Sequence, residues 1–189
     1  MKLPVLTGAR ATPLCVALLV FAACSHRAGL PQPDSKEYRE LVHAFNVGLS
    51  ALQCSEDVRA KADLTLASKL APGEPAILAD LGLLAMRQQE FATAIQNMDK
   101  ARELAPENSQ IEFYLGDIES KRGKLPESIQ HFRKAVELDG KNIKALYSLA
   151  TQIDRQSSGN GADALGYLKR ILDQHPRNTA VLLETARLA

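Results

Sequence analysis

The chain has 189 residues, 46% of them apolar and 24% charged, which suits one globular domain. Lys plus Arg is 23 against 22 Asp plus Glu, a formal net charge of +1, which argues against a nucleic-acid binder held by a basic face and against an acidic solvating tail. With 11 Gly and 9 Pro the chain is not of low complexity, and no apolar run reaches the roughly 20 residues of a membrane-spanning helix.

The N-terminus differs from the rest. Lys2 and Arg10 are the charges that precede Ser25, and Leu14 to Ala23 is an unbroken apolar run of ten, LCVALLVFAA. A basic start, a short apolar core and small residues at its end predict an export signal over residues 1–23. Phe21-Ala22-Ala23-Cys24 resembles the lipobox of bacterial lipoproteins, with Phe21 where that family usually has Leu. The resemblance implies cleavage before Cys24 and acylation of its thiol and new amine. The result is a lipid anchor in the cell envelope, with the protein on the periplasmic side of the outer membrane. Ordinary signal cleavage, leaving a soluble periplasmic or secreted protein, is the alternative. Cys15 would leave with the signal and Cys24 would carry lipid, so Cys54 is left without an intramolecular partner and is expected as a small, partly buried helical residue. Gly29, Pro31 and Pro33 predict a flexible tether over residues 24–40.

From Leu41 onward the chain repeats. Pro72, Pro106 and Gly140 are spaced by 34 residues, and Pro176 follows 36 later. Units therefore run 41–74, 75–108, 109–142 and 143–178, with a partial fifth at 179–189, and the fourth carries two extra residues near Ser157–Gly161. Places seven and eight hold Val47-Gly48, Leu81-Gly82, Leu115-Gly116 and Leu149-Ala150. Place twenty holds Ala60, Ala94, Ser128 and Ala164, and place twenty-four holds Leu64, Met98, Phe132 and Leu168. Phe91, Ala94, Ile95, Met98, Ala101 and Leu104 follow the i, i+3, i+4, i+7 rule of one helical face. Small residues at places eight and twenty let two helices approach closely, and a large one at place twenty-four fills the space beside them. Ser109 with Glu112 fits a capping box at a helix start.

This pattern resembles the tetratricopeptide repeat (TPR) over residues 41–189. The resemblance implies an all-α superhelix, a solenoid of four helical hairpins plus one terminal helix, whose first helices line a concave face. The apolar Val181, Leu182, Leu183 and Leu188 of the fifth partial unit predict either an apolar cap or a chain that continues. Residues 38–53 also resemble the leader of larger exported bacterial TPR proteins that run on into an FG-GAP-type β-propeller.

No catalytic signature is found. His26, His43, His131 and His175 are scattered, with no metal-ligand spacing, and neither a Walker loop nor a G-x-S-x-G motif occurs. The expectation is a non-enzyme without cofactor or metal. Its partner would be another protein or a peptide. In TPR proteins the groove is lined by places two, five, nine, twelve and thirteen of the first helix. The resemblance thus implies a groove that includes Phe45, Phe113 and Tyr147 at place five and Leu49, Leu83 and Asp117 at place nine. At place thirteen it implies Arg87, Lys121 and Arg155, which could form a basic rail for acidic groups. The Lys and Asn of the chaperone-binding carboxylate clamp are missing at places five and nine. A scaffold or adaptor of the bacterial envelope is the expected function. The alternatives are a non-catalytic leader of a longer exported protein or enzyme, and a structural protein that self-associates through its C-terminal helix.

Overall fold

The computed structural model describes residues 30–157 and 161–188. The expected signal over 1–23, Cys24 and Ser158–Asn160 of the extended loop lie outside the described residues. Among the described residues the chain forms nine α-helices and no strand. These are α1 (Lys36–Gln53), α2 (Asp57–Leu70), α3 (Pro75–Arg87), α4 (Phe91–Leu104), α5 (Ser109–Lys121), α6 (Leu125–Leu138), α7 (Ile143–Ser157), α8 (Ala162–Gln174) and α9 (Thr179–Leu188). None is long and apolar enough to cross a membrane.

Helices pair as antiparallel hairpins, α1 with α2, α3 with α4, α5 with α6 and α7 with α8, and each hairpin packs on the next. The starts of α3, α5, α7 and α9 coincide with the unit starts read from the repeat. The two extra residues of unit four lengthen its first helix, since α7 has 15 residues where α3 and α5 have 13. One boundary differs. The expected tether reached residue 40, but Ser35 caps a helix that begins at Lys36, its side chain accepting from the Tyr38 N–H at 3.0 Å.

The caps explain the remaining helix ends. Asn108, Asn142 and Asn178 stand immediately before α5, α7 and α9, and each side-chain oxygen accepts a backbone N–H of the first turn at 3.0–3.2 Å. Asn108 thereby takes the place expected for Ser109. The expected capping partner Glu112 turns away, its carboxylate 2.8 Å from His131 Nδ1 and 3.9 Å from Arg102. The turns within the first three hairpins close alike, with Glu56, Glu90 and Lys124 N–H groups donating to the carbonyls of Ala51, Ala85 and Glu119. That closure needs one left-handed residue, supplied by Gly123 at φ 76° and, with more strain, by Ser55 and Gln89 at 61°. Cys54, expected partly buried in a helix, instead stands at the C-cap of α1, at the turn into α2, and is exposed.

The core follows the repeat marks. Ala60, Leu64 and Ala67, then Ala94, Met98 and Ala101, then Ser128, Phe132 and Ala135, and finally Ala164, Leu168 and Ile171 are all buried. Ser128 is tolerated there because its hydroxyl donates to the Leu125 carbonyl at 2.9 Å. At α9, Val181 packs inward while Leu183 remains 74% exposed, so this helix covers the fourth hairpin on one face only.

Candidate functional site

The first helices of neighbouring units, α1, α3 and α5, lie side by side on the inner face of the superhelix. Between them opens a groove of about 900 Å³, lined by Leu49, Leu52 and Gln53 of α1, Asp80, Leu83, Met86 and Arg87 of α3, and Tyr114 and Lys121 of α5, with Gln89 and Phe91 at one end. Most of its exposed lining is apolar, and the polar groups come from Gln53, Asp80, Arg87, Gln89, Tyr114 and Lys121.

Of the residues at the inner places, Leu49 and Leu83 of place nine, Leu52 and Met86 of place twelve, and Gln53, Arg87 and Lys121 of place thirteen meet here. The others do not line this opening. Phe45 is half-buried against the cores of the first two hairpins. Phe113 packs its ring 5.7 Å from Phe132 and 5.5 Å from Tyr114, serving the core between units three and four. Tyr147 and Arg155 lie on α7, one unit further on, and Tyr147 is exposed. Asp117 lies beside Lys121, 3.8 Å from its ammonium.

The three basic residues at place thirteen have separate local engagements. Arg87 donates to the Leu52 carbonyl at 2.6 Å and to the Asp57 carboxylate. It thus joins the end of α1 to the start of α2, where its charge also suits the α1 carbonyl end. Lys121 pairs with Asp117, and Arg155 donates to Gln152 Oε1 at 3.1 Å. Gln152 in turn donates to Ser120 across units at 2.9 Å.

Two wall residues, Asp80 and Tyr114, were not expected. Both stand at place six, which the groove pattern of the family omits. The only signal in the sequence is that Asp80 interrupts an otherwise apolar helix, PAILADLGLLAM. Asp80 is half-buried and has neither a hydrogen bond nor an ion pair among the described residues. Burial alone pushes its carboxyl up from 3.8 to about 6. The Tyr114 phenol is also raised, by burial first and then by the Asp80 charge.

The sign of the linkage is unfavourable to stability. The unfolded chain ionises Asp80 near 3.8, whereas the folded chain holds its proton up to about 6. Folding therefore weakens as pH rises through that window and stays weakened above it. Asp80→Asn is expected to stabilise the protein at neutral pH by about 1 kcal/mol, a figure discounted for partial exposure, and not in acid below the ordinary carboxylate range. Urea unfolding at both pH values checks this, and an equal shift at each would refute it.

Among the described residues no group of His, Cys, Asp and Glu is arranged to hold a metal ion. The tetratricopeptide repeat family model matches residues 79–143. No functionally curated protein matches the sequence significantly. Among solved structures, PilF of Pseudomonas aeruginosa is similar at 20% identity and TM-score 0.71, over 82% of this chain and 69% of that one. MamA of Desulfovibrio magneticus is similar at 14% identity and TM-score 0.67, over 79% and 83%. YrrB, described as a TPR protein with an unusual peptide-binding site, is similar at 18% identity and TM-score 0.63, over 77% and 74%. With the helical pairs, the repeat-marked core and the concave inner face in place, the described chain has the tetratricopeptide-repeat fold: an all-α superhelix of four hairpins and one further helix.

Proposed function

We propose that this protein is a scaffold or adaptor of a bacterial cell envelope, anchored by lipid on Cys24, that holds a segment of a partner protein in its concave groove. The observation that carries this reading is the groove across α1, α3 and α5, in which Leu49, Leu83 and Met86 are only partly buried, Leu83 and Met86 resting on the hydrophobic core with part of their surface left to the groove. Apolar side chains at the bottom of a preformed groove offer anchors to an extended or helical segment, and polar walls fix its register. A stacked solenoid keeps such a groove rigid, so little ordering energy is lost on binding. The apolar run ending in Ala22-Ala23-Cys24 supports export and anchoring. The fold likeness to YrrB agrees with a peptide ligand.

The anchor is tested by Cys24→Ser in the native host. The substitution is expected to release the protein from the membrane fraction and to remove the lipid mass, and unchanged partitioning and mass would refute anchoring. The groove is tested by selecting peptides from a random display library on the full chain. Leu49→Gln with Leu83→Gln is expected to weaken the selected peptides by roughly tenfold or more. Helical circular dichroism of the variant reports whether the fold is retained. Peptides that bind the folded variant unchanged would place recognition elsewhere.

A further inference from the structure

The groove contains one unbalanced charge. Of its cations, Arg87 is engaged by Asp57 and the Leu52 carbonyl, and Lys121 by Asp117. The contributions of α1, Leu49, Leu52 and Gln53, carry no charge, and neither do Gln89 and Phe91. Asp80 on α3 remains, half-buried and without a hydrogen bond or ion pair among the described residues, with the Tyr114 phenol of α5 beside it. An isolated carboxylate among Leu83, Met86 and Tyr114 weakens folding, yet Asn or Ala would fit the same helix position without that effect. A residue that lowers stability inside a binding groove marks a site shaped by its ligand.

We infer that Asp80 is a specificity-determining residue that selects partner segments in which a Lys or Arg side chain is flanked by apolar anchors. The inference rests on the groove-binding function proposed above. The apolar neighbours would lie on Leu49, Leu83 and Met86, and the basic head would meet Asp80, beside the Tyr114 phenol. A cation arriving at a partly dehydrated carboxylate makes a charge-assisted hydrogen bond without displacing an existing partner. Acidic segments, which the basic residues at place thirteen would otherwise favour, are rejected by the uncompensated carboxylate. Binding should strengthen as pH rises through about 6, where Asp80 becomes charged. The other charged groups at this space are Lys121 of α5 and Arg87, with their partners Asp117 and Asp57 just outside the lining, and Tyr114 stays neutral through that range.

The experiment uses peptides selected from the random library on the full chain, resynthesised with each Lys or Arg replaced by Gln. Affinities for wild type and Asp80→Asn are measured by fluorescence anisotropy at neutral pH and near pH 5. For wild type at neutral pH the basic peptide is expected to bind roughly tenfold tighter than its Gln version. That preference should vanish in Asp80→Asn and shrink near pH 5, while the Gln peptide binds both proteins alike. Selected peptides without a basic residue, or a basic preference that survives in Asp80→Asn, would overturn the inference and leave the groove reading standing. The same holds for acidic peptides whose binding depends on Lys121. If no peptide is enriched, or if free polyamines alone bind at Asp80, both readings fall. Because Asp80→Asn is expected to be the more stable protein at neutral pH, lost preference cannot be ascribed to unfolding.

Discussion

Phe132→Ala is expected to lower the unfolding free energy by about 3–5 kcal/mol, the range for removing a fully buried aromatic ring. Phe132 is 2% exposed at the centre of α6, packed with Ile129, Val136, Leu146 and Leu149 and with the Phe113 ring. It joins the third hairpin to the fourth, so the void would open at a junction between units rather than inside one. Stability of a solenoid is close to a sum of units and nearest-neighbour interfaces. The third and fourth hairpins should therefore loosen first, so that α5 to α8, and with α5 one side of the groove, exchange at denaturant concentrations where α1 to α4 are still protected. Denaturant unfolding gives the magnitude, and hydrogen exchange by mass spectrometry gives the place. Uniform loss of protection along the whole chain would show that the array melts as one unit. A total loss below about 1.5 kcal/mol would mean that the neighbours collapse into the space.

The second large effect concerns the glycines at place eight. Replacing Gly by Ala within a helix ordinarily stabilises by about 1 kcal/mol. Here the new methyl has to find room. At Gly116 it would stand 2.7 Å from two carbons of the rigid Phe132 ring, and at Gly48 it would stand 2.8 Å from Leu64 Cγ and 3.0 Å from the Leu64 backbone nitrogen. At Gly82 the nearest atoms, at 3.0 Å, include the terminal carbon of Met98, a flexible side chain that can swing aside. Overpacking costs about 1–3 kcal/mol where nothing yields. Gly116→Ala and Gly48→Ala are thus expected to destabilise by about 1–2 kcal/mol net, and Gly82→Ala to be nearly neutral. Thermal unfolding of the three variants decides the order. If Phe132→Leu largely relieves Gly116→Ala in the double variant, the clash itself is the cause. Three equal effects would argue that backbone propensity rather than contact governs this position.

The periodic marks already carried the architecture. Leu64, Met98, Phe132 and Leu168 recur at one place because each hairpin must bury the same apolar face against the next. A pattern repeated over four units is legible without coordinates. The same holds for Pro72, Pro106 and Pro176, which stand just beyond helix ends because a helix cannot continue through them. The caps were half legible. Asn108, Asn142 and Asn178 share a register, but the Ser109–Glu112 spacing suggested a different partner set at α5. His131, nineteen residues on, competes for Glu112, and only the packing of α6 on α5 brings it near.

The groove was harder to read for a physical reason. Helical spacing tells which residues share a face, not which face the superhelix turns inward or which charges find partners across units. Phe113 and Leu83 both occupy inner-face places and both are partly buried against the core, yet Phe113 packs on Phe132 away from the groove while Leu83 lines it. Arg87 and Arg155 hold the same place, but Asp57 lies within reach of one and Gln152 within reach of the other. The amino-acid sequence by itself determined the helices, their pairing and the repeat-marked core, because these depend on local propensity and on spacing along one chain. The tertiary structure alone decided that Asp80 lines the groove with Leu83 and Tyr114 and has no ion pair among the described residues, because burial and charge balance there depend on helices from three successive units.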